Sequence, residues 1–368
     1  MQIFERKRMK RSSTWIKLKT QIHNLLFLRL LKSTSFRSFI FELNVKFLQR
    51  QLGKKGFMLN MTLSTINQTR PIGSIPLKAS IQEWIPVFQG GIDSLSQFRY
   101  LEKTLLNFRQ DFDFQFCILS TFTLKDEVRE ALEVSYIRDY LKIVENKDPG
   151  KLKPPLAQNF LRQMQNTFSG LNLANDLGFR YSIKIRIDQR ISNSETLEGI
   201  AWLMSQFPVH KDLARDRVVC TSFNTYKTLP LFLSDCLMFG NTQDLIEYWS
   251  PADSEEFYPI SQELSSKFSL RQELLNHPEI WLAARYLSGR IAHDAISVEE
   301  ANRLFWTRLA MVVDATAIGQ VWQKQPEALK TNYKSTKWFE KHLDERFSEM
   351  SHWDWLTQFG INSRISRA

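Results

Sequence analysis

The feature that most constrains the fold of this sequence is an alternation of short apolar runs with longer stretches of helical periodicity, beginning near residue 84. Such alternation is typical of repeated strand and helix units, so it predicts an α/β fold with a mostly parallel sheet flanked by helices. From residue 244 onward the sequence predicts a helix-rich part. Asn159 is predicted to cap one helix through its side-chain oxygen. The predicted strands are 84–88, 114–119, 141–144, 181–187 and 217–221, and the predicted helices are 97–109, 124–134, 159–177 and 198–207.

The first 58 residues differ in charge from the rest of the chain. They hold fourteen Lys or Arg and two acids, which gives a net charge of +12. The whole chain carries a net charge of +10, so the remaining residues sum to −2. Their apolar residues recur at helical spacing, which predicts a basic amphipathic helical extension. Three interpretations of this segment stay open. It lies on an anionic membrane surface, it packs on the folded body, or it precedes the true translation start at Met58 or Met61. Residues 59–80 are predicted to be a linker, 81–345 the α/β domain and 346–368 a C-terminal tail.

Composition and spacing exclude several classes of protein. Apolar residues make up 43% and charged residues 24% of the chain, as in ordinary globular proteins. The three cysteines show no CxxC spacing and the histidines no HExxH spacing, so neither a disulfide framework nor a zinc site of these types is predicted. No apolar run reaches the ~18 to 20 residues of a membrane span. Because the net positive charge is confined to residues 1–58, we expect no specific nucleic-acid binding. We also expect a cytoplasmic location.

Four predicted strands are followed by glycine or polar residues that suit a ligand site. In an open parallel sheet, ligands bind at the carboxyl ends of the strands, so these segments are expected on one edge. Gly90 and Gly91 would let backbone amides approach a nucleotide, although such a pair is more often only a turn. The four segments are Gln89-Gly90-Gly91, Ser120-Thr121, Asp148-Pro149-Gly150 and Asp188-Gln189-Arg190.

Two aspartates are the main candidates for chemistry. Asp188 ends a predicted strand, where a carboxylate suits Mg²⁺ or Mn²⁺ bound to a sugar diphosphate; a helix cap or a salt bridge with Arg186 or Arg190 is the alternative. Asp235 precedes an apolar segment, so partial burial is expected to raise its pKa and make it a general base toward an acceptor hydroxyl. The alternative for Asp235 is a capping aspartate on a surface loop.

Two further residues are weaker candidates. Arg162, near a predicted helix N-terminus, has the forked donors that fit a phosphate, and the alternative is a solvated surface arginine. Glu279 follows Pro278 at the start of a predicted helix and is a second candidate base, although acids in a first turn usually serve the helix dipole.

Read in order, these motifs resemble the WavE-type family of lipopolysaccharide-synthesis glycosyltransferases, from about residue 84 to 322. The family features are an apolar strand ending in Gln-Gly, a Leu-Ser-Thr segment, Asp-Pro-Gly, Asn-Arg-Gln, Leu-Lys-x-Arg-x-Asp and a later Asp-to-Gly segment. Their counterparts here are 87–91, 118–122, Asp148-Pro149-Gly150, 159–163, 183–188 and 234–240, with a weaker match at 311–314.

The resemblance implies a GT-A-like fold that transfers a sugar from a nucleotide-sugar donor to a saccharide or lipid-linked acceptor of cell-surface polysaccharide or lipopolysaccharide, at the inner face of the plasma membrane. Asp188-Gln189-Arg190 lacks the second acid of the Asp-x-Asp metal motif, so Arg190 is an alternative to Mg²⁺ or Mn²⁺. The alternative function is a non-catalytic, membrane-associated interaction protein with a degenerate transferase fold. The donor-binding residues implied are Gln89, Gly90, Gly91, Ser120, Asp148, Arg162, Lys184, Arg186 and Asp188, with Asp235 and Glu279 as catalytic residues.

Overall fold

The computed structural model describes residues 81–150, 152, 159–253, 255–292, 295–322 and 349–360. All of them belong to the second of the two units into which the chain divides, Asn60–Ala368. The predicted basic extension 1–58 and linker 59–80 lie outside the described residues.

A mostly parallel sheet forms the centre of the described part of the chain. Its strands are β1 (Trp84–Gln89), β2 (Cys117–Phe122), β3 (Leu141–Asn146), β4 (Tyr181–Arg186), β6 (Val218–Thr221), β7 (Leu237–Asn241) and β8 (Ala310–Val313). They lie in the order β3-β2-β1-β4-β7-β6-β8, and β7 alone among these strands runs antiparallel to its neighbours. A second, two-stranded sheet pairs β5 (Gln189–Arg190) with β9 (Val321–Trp322).

Helices cover both faces of the sheet. They are α1 (Leu95–Phe112), α2 (Asp126–Glu133), α3 (Phe160–Asp176), α4 (Thr196–Gln206), α5 (Thr242–Tyr248), α6 (Phe257–Phe268), α7 (Gln272–Leu275), α8 (Pro278–Ser288), α9 (Val298–Leu304) and α10 (His352–Trp355). Neighbouring residues of a strand point to opposite faces. Val87 of β1 accordingly faces α3, where a Cβ on Gly170 would lie 2.5 Å from it, while Phe88 packs edge-on against Phe108 of α1. The predicted α/β fold with flanking helices and a helix-rich C-terminal part is confirmed.

The predicted elements are present, with some boundary errors. The strand predicted at 114–119 begins three residues later, because Phe114 joins the aromatic cluster of Phe108 and Phe112 at the end of α1 instead of the sheet. The predicted side-chain cap by Asn159 is wrong. Asn159 precedes α3 but has φ −96° and ψ 6° and makes no side-chain cap hydrogen bond, whereas capping residues usually have extended backbone.

The strand β7 was not predicted, and it changes the geometry of the sheet edge. Because β7 runs antiparallel to β4, its first residue, Leu237, lies beside Ile185 near the carboxyl end of β4. The backbone N–H of Arg186 donates to the carbonyl of Cys236 at 3.3 Å. The residue just before them, Asp235, therefore lies at the same edge as the ends of β1, β2, β3 and β4.

Candidate functional site

The ends of the first four parallel strands meet at one edge, as predicted. Gln89 of β1 lies level with Ser120 of β2 on one side and with Arg186 of β4 on the other. The N–H of Gly90 donates to the carbonyl of Ser120 at 3.2 Å, and the N–H of Ile187 donates to the carbonyl of Gln89 at 3.1 Å. Gly90 and Gly91, which follow β1, therefore lie beside Ile187 and Asp188, which follow β4.

The two glycines serve different purposes. Gly90 has φ +144°, and a Cβ there would lie 2.9 Å from a side-chain carbon of Ile187, so both the backbone conformation and the packing require glycine. A Cβ on Gly91 would meet nothing closer than 3.8 Å. Gly90 therefore forms the turn, and Gly91 leaves backbone accessible at the edge.

Asp188 is almost completely buried and pairs with the arginine two residues before it. Arg186 donates from Nε to Oδ1 and from Nη2 to Oδ2, both at 3.3 Å, and the indole Nε1 of Trp322 donates to Oδ2 at 3.0 Å. Burial lowers the pKa of Arg186, but Cys236, Asp188 and Asp235 raise that pKa by more, so the guanidinium stays charged. The salt bridge that the sequence left as an alternative is therefore what Asp188 forms.

Asp235 lies at the same edge and is only 6% exposed, which rules out the surface loop considered above. Gln163 of α3 donates through its side-chain amide to Oδ2, and the ammonium of Lys184 donates to the backbone carbonyl. Burial raises the pKa of Asp235, but Lys184 and Arg186 lower it by more, so the net pKa lies below its ordinary value. The predicted rise of this pKa is wrong, because the sequence did not place two cations next to the carboxylate.

Lys184 lies beneath the edge, fully buried, with its ammonium 4.7 Å from the ring centre of Trp249. Burial lowers the pKa of Lys184 to about 8, although Asp235 acts in the opposite direction. The lysine contacts the aspartate backbone and an aromatic face, so its charge acts on the site through Asp235.

Glu279, in the first turn of α8, belongs to the same electrostatic cluster. Burial and, to a smaller extent, the negative charge of Asp235 raise the pKa of Glu279, and after the opposing effects of Arg186 and Lys184 that pKa is about 8. Its side chain is only partly buried, in contrast to Asp235. In this cluster, the buried carboxylate of Asp235 is an anion, whereas the partly buried carboxyl of Glu279 keeps its proton near neutral pH.

Sequence reasoning did not assign a role to Gln163, which the structure brings to Asp235. Gln163 is the residue after Arg162 on α3, and the match of 159–163 to the family Asn-Arg-Gln segment was the available signal.

Ser120 lies below the edge in a buried polar cluster. The side-chain amide of Asn146 donates to Ser120 Oγ at 2.9 Å, to Asn166 Oδ1 at 3.0 Å and to the carbonyl of Thr121 at 3.2 Å. Ser120 is fully buried. The Ser120 hydroxyl therefore holds the side chain of Asn146, the last residue of β3, from inside the fold.

Asp148 and Arg162, both predicted to bind the donor, pair with each other. Arg162 Nε donates to Asp148 Oδ1 at 2.8 Å and Nη2 donates to Oδ2. The guanidinium carbon lies 5.9 Å from the ring centre of Phe122, the last residue of β2. The two residues thus form a bidentate ion pair beside an aromatic ring.

The residues around Asp188 do not fit a divalent metal site. In the described ranges, no group of three or more His, Cys, Asp or Glu side chains is arranged to hold a metal ion. The carboxylate of Asp188 is already engaged by Arg186 and Trp322, and a cation partner is a poor neighbour for a second cation. The residues that the structure describes around Asp188 therefore do not form a protein ligand set for the Mg²⁺ or Mn²⁺ suggested by the sequence.

Comparison with protein families identifies the chain. Residues 86–366 match the family model described as WavE lipopolysaccharide synthesis. The chain belongs to this family. The WavE resemblance predicted from the motifs is thereby confirmed, and the matched region includes every candidate residue described above. Among curated proteins, none matches the chain.

Solved structures similar to this WavE-family chain include a galactosyltransferase and a putative nucleotide-diphospho-sugar transferase. One is a galactosyltransferase LgtC in complex with donor and acceptor sugar analogs, with a TM-score of 0.34 and 8% identity over 70% of this chain and 99% of that one. Another is S. aureus TarS 1–349, with a TM-score of 0.33 and 12% identity over 71% and 75% of the two chains. A putative nucleotide-diphospho-sugar transferase from Desulfovibrio desulfuricans G20 gives a TM-score of 0.28 and 9% identity over 46% and 69%. All three scores lie below 0.5, so the family match alone identifies the chain.

Within the part of the chain that the structure describes, no helix combines the length and apolar character that crossing a bilayer needs.

Proposed function

We propose that this chain is a glycosyltransferase that moves a sugar from a nucleotide-sugar donor to a saccharide or lipid-linked acceptor of lipopolysaccharide or cell-surface polysaccharide. The observation that carries the proposal is the electrostatic cluster of Arg186, Asp235 and Glu279, in a chain of the WavE lipopolysaccharide synthesis family. Arg186 and Asp235 of this cluster lie at the sheet edge that also holds the glycine turn. Family membership favours this function over a non-catalytic interaction protein.

Arg186 is the residue best suited to the donor diphosphate. Its guanidinium is charged and partly exposed, and its forked donors match the spacing of phosphate oxygens. Asp188 orients the guanidinium from the buried side, and Trp322 in turn donates to Asp188. The partly exposed backbone of Gly91 adds an N–H donor at the same edge.

Transfer requires a base for the acceptor hydroxyl. The acceptor oxygen forms a bond to the anomeric carbon of the donor sugar, and the bond from that carbon to the diphosphate oxygen breaks. The nucleoside diphosphate leaves with the bonding electrons, and the hydroxyl proton passes to a carboxylate. Arg186 stabilises the negative charge that grows on the leaving diphosphate.

Glu279 suits the role of base better than Asp235. Its pKa of about 8 makes its carboxylate the stronger base, and its partial exposure leaves it within reach of an acceptor. Asp235, held anionic by Lys184 and Arg186 and fixed by Gln163, keeps the positive charges in place and raises the proton affinity of Glu279. This division of roles refines the sequence-based order, which placed Asp235 first.

Donor binding is the experiment that tests the function. Thermal unfolding is followed with UDP-, GDP- and CMP-sugars, and a ligand that binds the native state at 100 times its Kd stabilises it by about 2.7 kcal/mol. We expect at least one nucleotide sugar to raise the Tm and the corresponding free sugar to leave it unchanged. Absence of any shift across the three classes, together with absence of donor hydrolysis, would contradict the proposal.

Attachment to the inner face of the plasma membrane is a further part of the proposal. Its support is the net charge of +12 in residues 1–58, since each Lys or Arg near an anionic surface contributes about 1 kcal/mol. Co-sedimentation with vesicles containing phosphatidylglycerol should be lost on deletion of residues 1–58. Equal sedimentation of the full and shortened chains would contradict membrane attachment through this segment.

A further inference from the structure

The described residues around Asp188 disagree with the divalent cation that an Asp-x-Asp pattern would hold. Arg186 donates to both oxygens of the Asp188 carboxylate, and the indole of Trp322 donates to one of them. A metal ion bound to these oxygens would have to displace the donors and lie beside a guanidinium that repels it. Two residues further on, where a second acid would complete the metal ligands, the chain has Arg190.

The charges at the end of β4 favour an anion over a cation. Three basic side chains are contributed by β4 and β5, against the two carboxylates of Asp188 and Asp235. Glu279 adds no charge at neutral pH, since its pKa of about 8 keeps it protonated. The surplus of positive charge attracts a diphosphate and opposes the entry of a divalent cation. The three basic residues are Lys184, Arg186 and Arg190.

Arg190 lies close to Asp188 and has an unused hydrogen-bond donor. It pairs with Val321 of β9, directly after the turn that contains Asp188. Burial raises the pKa of Tyr100 in α1, the charge of Arg190 lowers that pKa and the charge of Asp188 raises it, so both charges lie near the Tyr100 hydroxyl. The side chain of Arg190 is partly exposed, and its buried Nε–H has no hydrogen-bond partner among the described residues. Because Arg186 already neutralises Asp188, Arg190 is not needed as a second counterion.

We propose that Arg186 and Arg190 together hold the donor diphosphate in place of a divalent metal, which makes this chain a metal-independent transferase. The proposal rests on the proposed function and specifies the cations that meet the leaving group. In transfer, the acceptor oxygen bonds to the anomeric carbon, and the bond from that carbon to the diphosphate oxygen breaks with its electron pair on the diphosphate. The two guanidinium groups stabilise the added negative charge, and the hydroxyl proton passes to the carboxylate of Glu279.

The test measures nucleotide binding with and without metal ions. The full chain is treated with EDTA, and mass spectrometry verifies that no divalent metal remains. Isothermal titration with UDP and GDP is then performed in EDTA and in excess Mg²⁺ or Mn²⁺. Hydrolysis of the nucleotide sugar selected by thermal shift is followed in the same buffers.

The variants are Arg190→Gln, Arg190→Lys and Arg180→Gln as the matched control. Arg180 precedes β4 at the opposite end of the strand, where it pairs with Glu83 at 3.6 Å and lies 5.2 Å from the ring centre of Tyr181. It therefore tests the loss of an arginine beside the same strand but away from the donor. Thermal unfolding verifies that each variant is folded.

UDP or GDP should bind the unaltered chain with the same Kd in EDTA as in Mg²⁺ or Mn²⁺, and donor hydrolysis should continue in EDTA. Arg190→Gln should raise this Kd roughly tenfold, because a charge-assisted contact to phosphate is lost. Arg190→Lys should weaken binding less, since it keeps the charge and loses only the forked donors. Arg180→Gln should bind like the unaltered chain.

Binding or hydrolysis that requires Mg²⁺ or Mn²⁺ would overturn the proposal and leave the glycosyltransferase function standing. A response to CMP-sugars alone would do the same, because those donors carry a single phosphate. Unaltered affinity in folded Arg190→Gln would overturn the role of Arg190. Binding of no nucleotide and no nucleotide sugar, with or without metal, would overturn both this proposal and the proposed function.

Discussion

The two ends of β7 each carry a buried aspartate, and the fold satisfies the two carboxylates in different ways. Asp244, in α5 just after β7, accepts from the backbone N–H groups of Arg215 and Asp216 at 3.0 and 2.8 Å. Asp235, just before β7, accepts from the side chain of Gln163 and lies near the charges of Lys184 and Arg186. Backbone donors belong permanently to the fold, whereas side chains and charges can exchange partners with a ligand.

The pKa values of the two aspartates differ accordingly. Burial raises the pKa of Asp244 to about 6, because the amides of Arg215 and the nearby guanidinium only partly offset the loss of water. The pKa of Asp235 is lowered instead, since two cations outweigh its burial. Under the proposed function, the buried acid whose charge is stabilised by other side chains, Asp235, lies at the donor edge of the sheet, and the acid held mainly by backbone amides, Asp244, lies at the structural end.

The largest effect on kcat is expected from Glu279, the proposed base in the electrostatic cluster of Asp235. Glu279→Gln keeps the shape of the side chain and removes the proton acceptor, so kcat for sugar transfer should fall by about 10² to 10⁴. Glu299→Gln, which changes an acid in the first turn of α9, is the matched control and should leave kcat unchanged. Initial rates of transfer measure both, and a kcat in Glu279→Gln close to that of the control would remove Glu279 from the mechanism.

Alanine at the two aspartates should separate activity from stability. Asp235→Ala should lower kcat at least roughly 100-fold, since Arg186 and Glu279 lose the charge that positions them. Asp244→Ala leaves two buried N–H groups without acceptors and should lower the free energy of unfolding by about 1–3 kcal/mol. The kcat of its folded fraction should be unchanged. Urea unfolding and transfer rates measure the pair, and equal loss of kcat in both variants would erase the distinction between the two ends.

The pH dependence of transfer should report the Glu279 carboxyl. A base must be deprotonated, so kcat/KM should rise about tenfold per pH unit below its pKa and level off above about 8. If Asp235 were the base, its lowered pKa would leave the rate flat from neutral to alkaline pH. A pH–rate profile that is flat between pH 6 and pH 9, with the protein shown to be folded, would therefore reassign the base.

The smallest expected effect is a change with pH in the free energy of unfolding, and it comes from Asp244. The folded pKa of Asp244 is raised to about 6, so its contribution is fully present below the unfolded pKa and is lost as pH rises through about 6. Relative to Asp244→Asn, the wild-type chain should lose up to about 1–3 kcal/mol of unfolding free energy between pH 4 and pH 7. Asp235 has the opposite sign, because its stabilisation is present above the unfolded pKa and is lost at low pH. An unchanged difference between wild type and Asp244→Asn across this range would contradict the raised pKa.

Much of the fold could be predicted from the sequence because the first four strand and helix units obey simple periodicity. The apolar spacing of Phe98, Leu101, Leu105 and Phe108 predicted the buried face of α1, and those residues are buried. The shared edge of the strand ends also followed, since parallel strands joined by helices place their carboxyl ends together. The strand β7 and its direction could not be predicted, because its short apolar run ends in Gly240 and Asn241 and looks the same in either direction.

The electrostatics of the site was less accessible to sequence reasoning. The pKa of Asp235 depends on Lys184 and Arg186, which are about fifty residues away in sequence and reach it only because β7 pairs with β4. Apart from its place in the segment similar to the family Asn-Arg-Gln, Gln163 has nothing that distinguishes it from a surface glutamine of α3. The failed cap by Asn159 shows the same limit, since its side chain suits a cap but its backbone conformation does not.

The most direct test of the account compares two arginines that each pair with an aspartate at 3.3 Å, Arg186 with Asp188 and Arg215 with Asp244. Isothermal titration measures the Kd of the nucleotide sugar selected by thermal shift, for wild type, Arg186→Gln and Arg215→Gln. Loss of a charge-assisted contact to the diphosphate should raise the Kd of Arg186→Gln about 10- to 100-fold, while Arg215→Gln binds like wild type. A wild-type Kd in Arg186→Gln would contradict the claim that the carboxyl edge of β1 to β4 holds the donor.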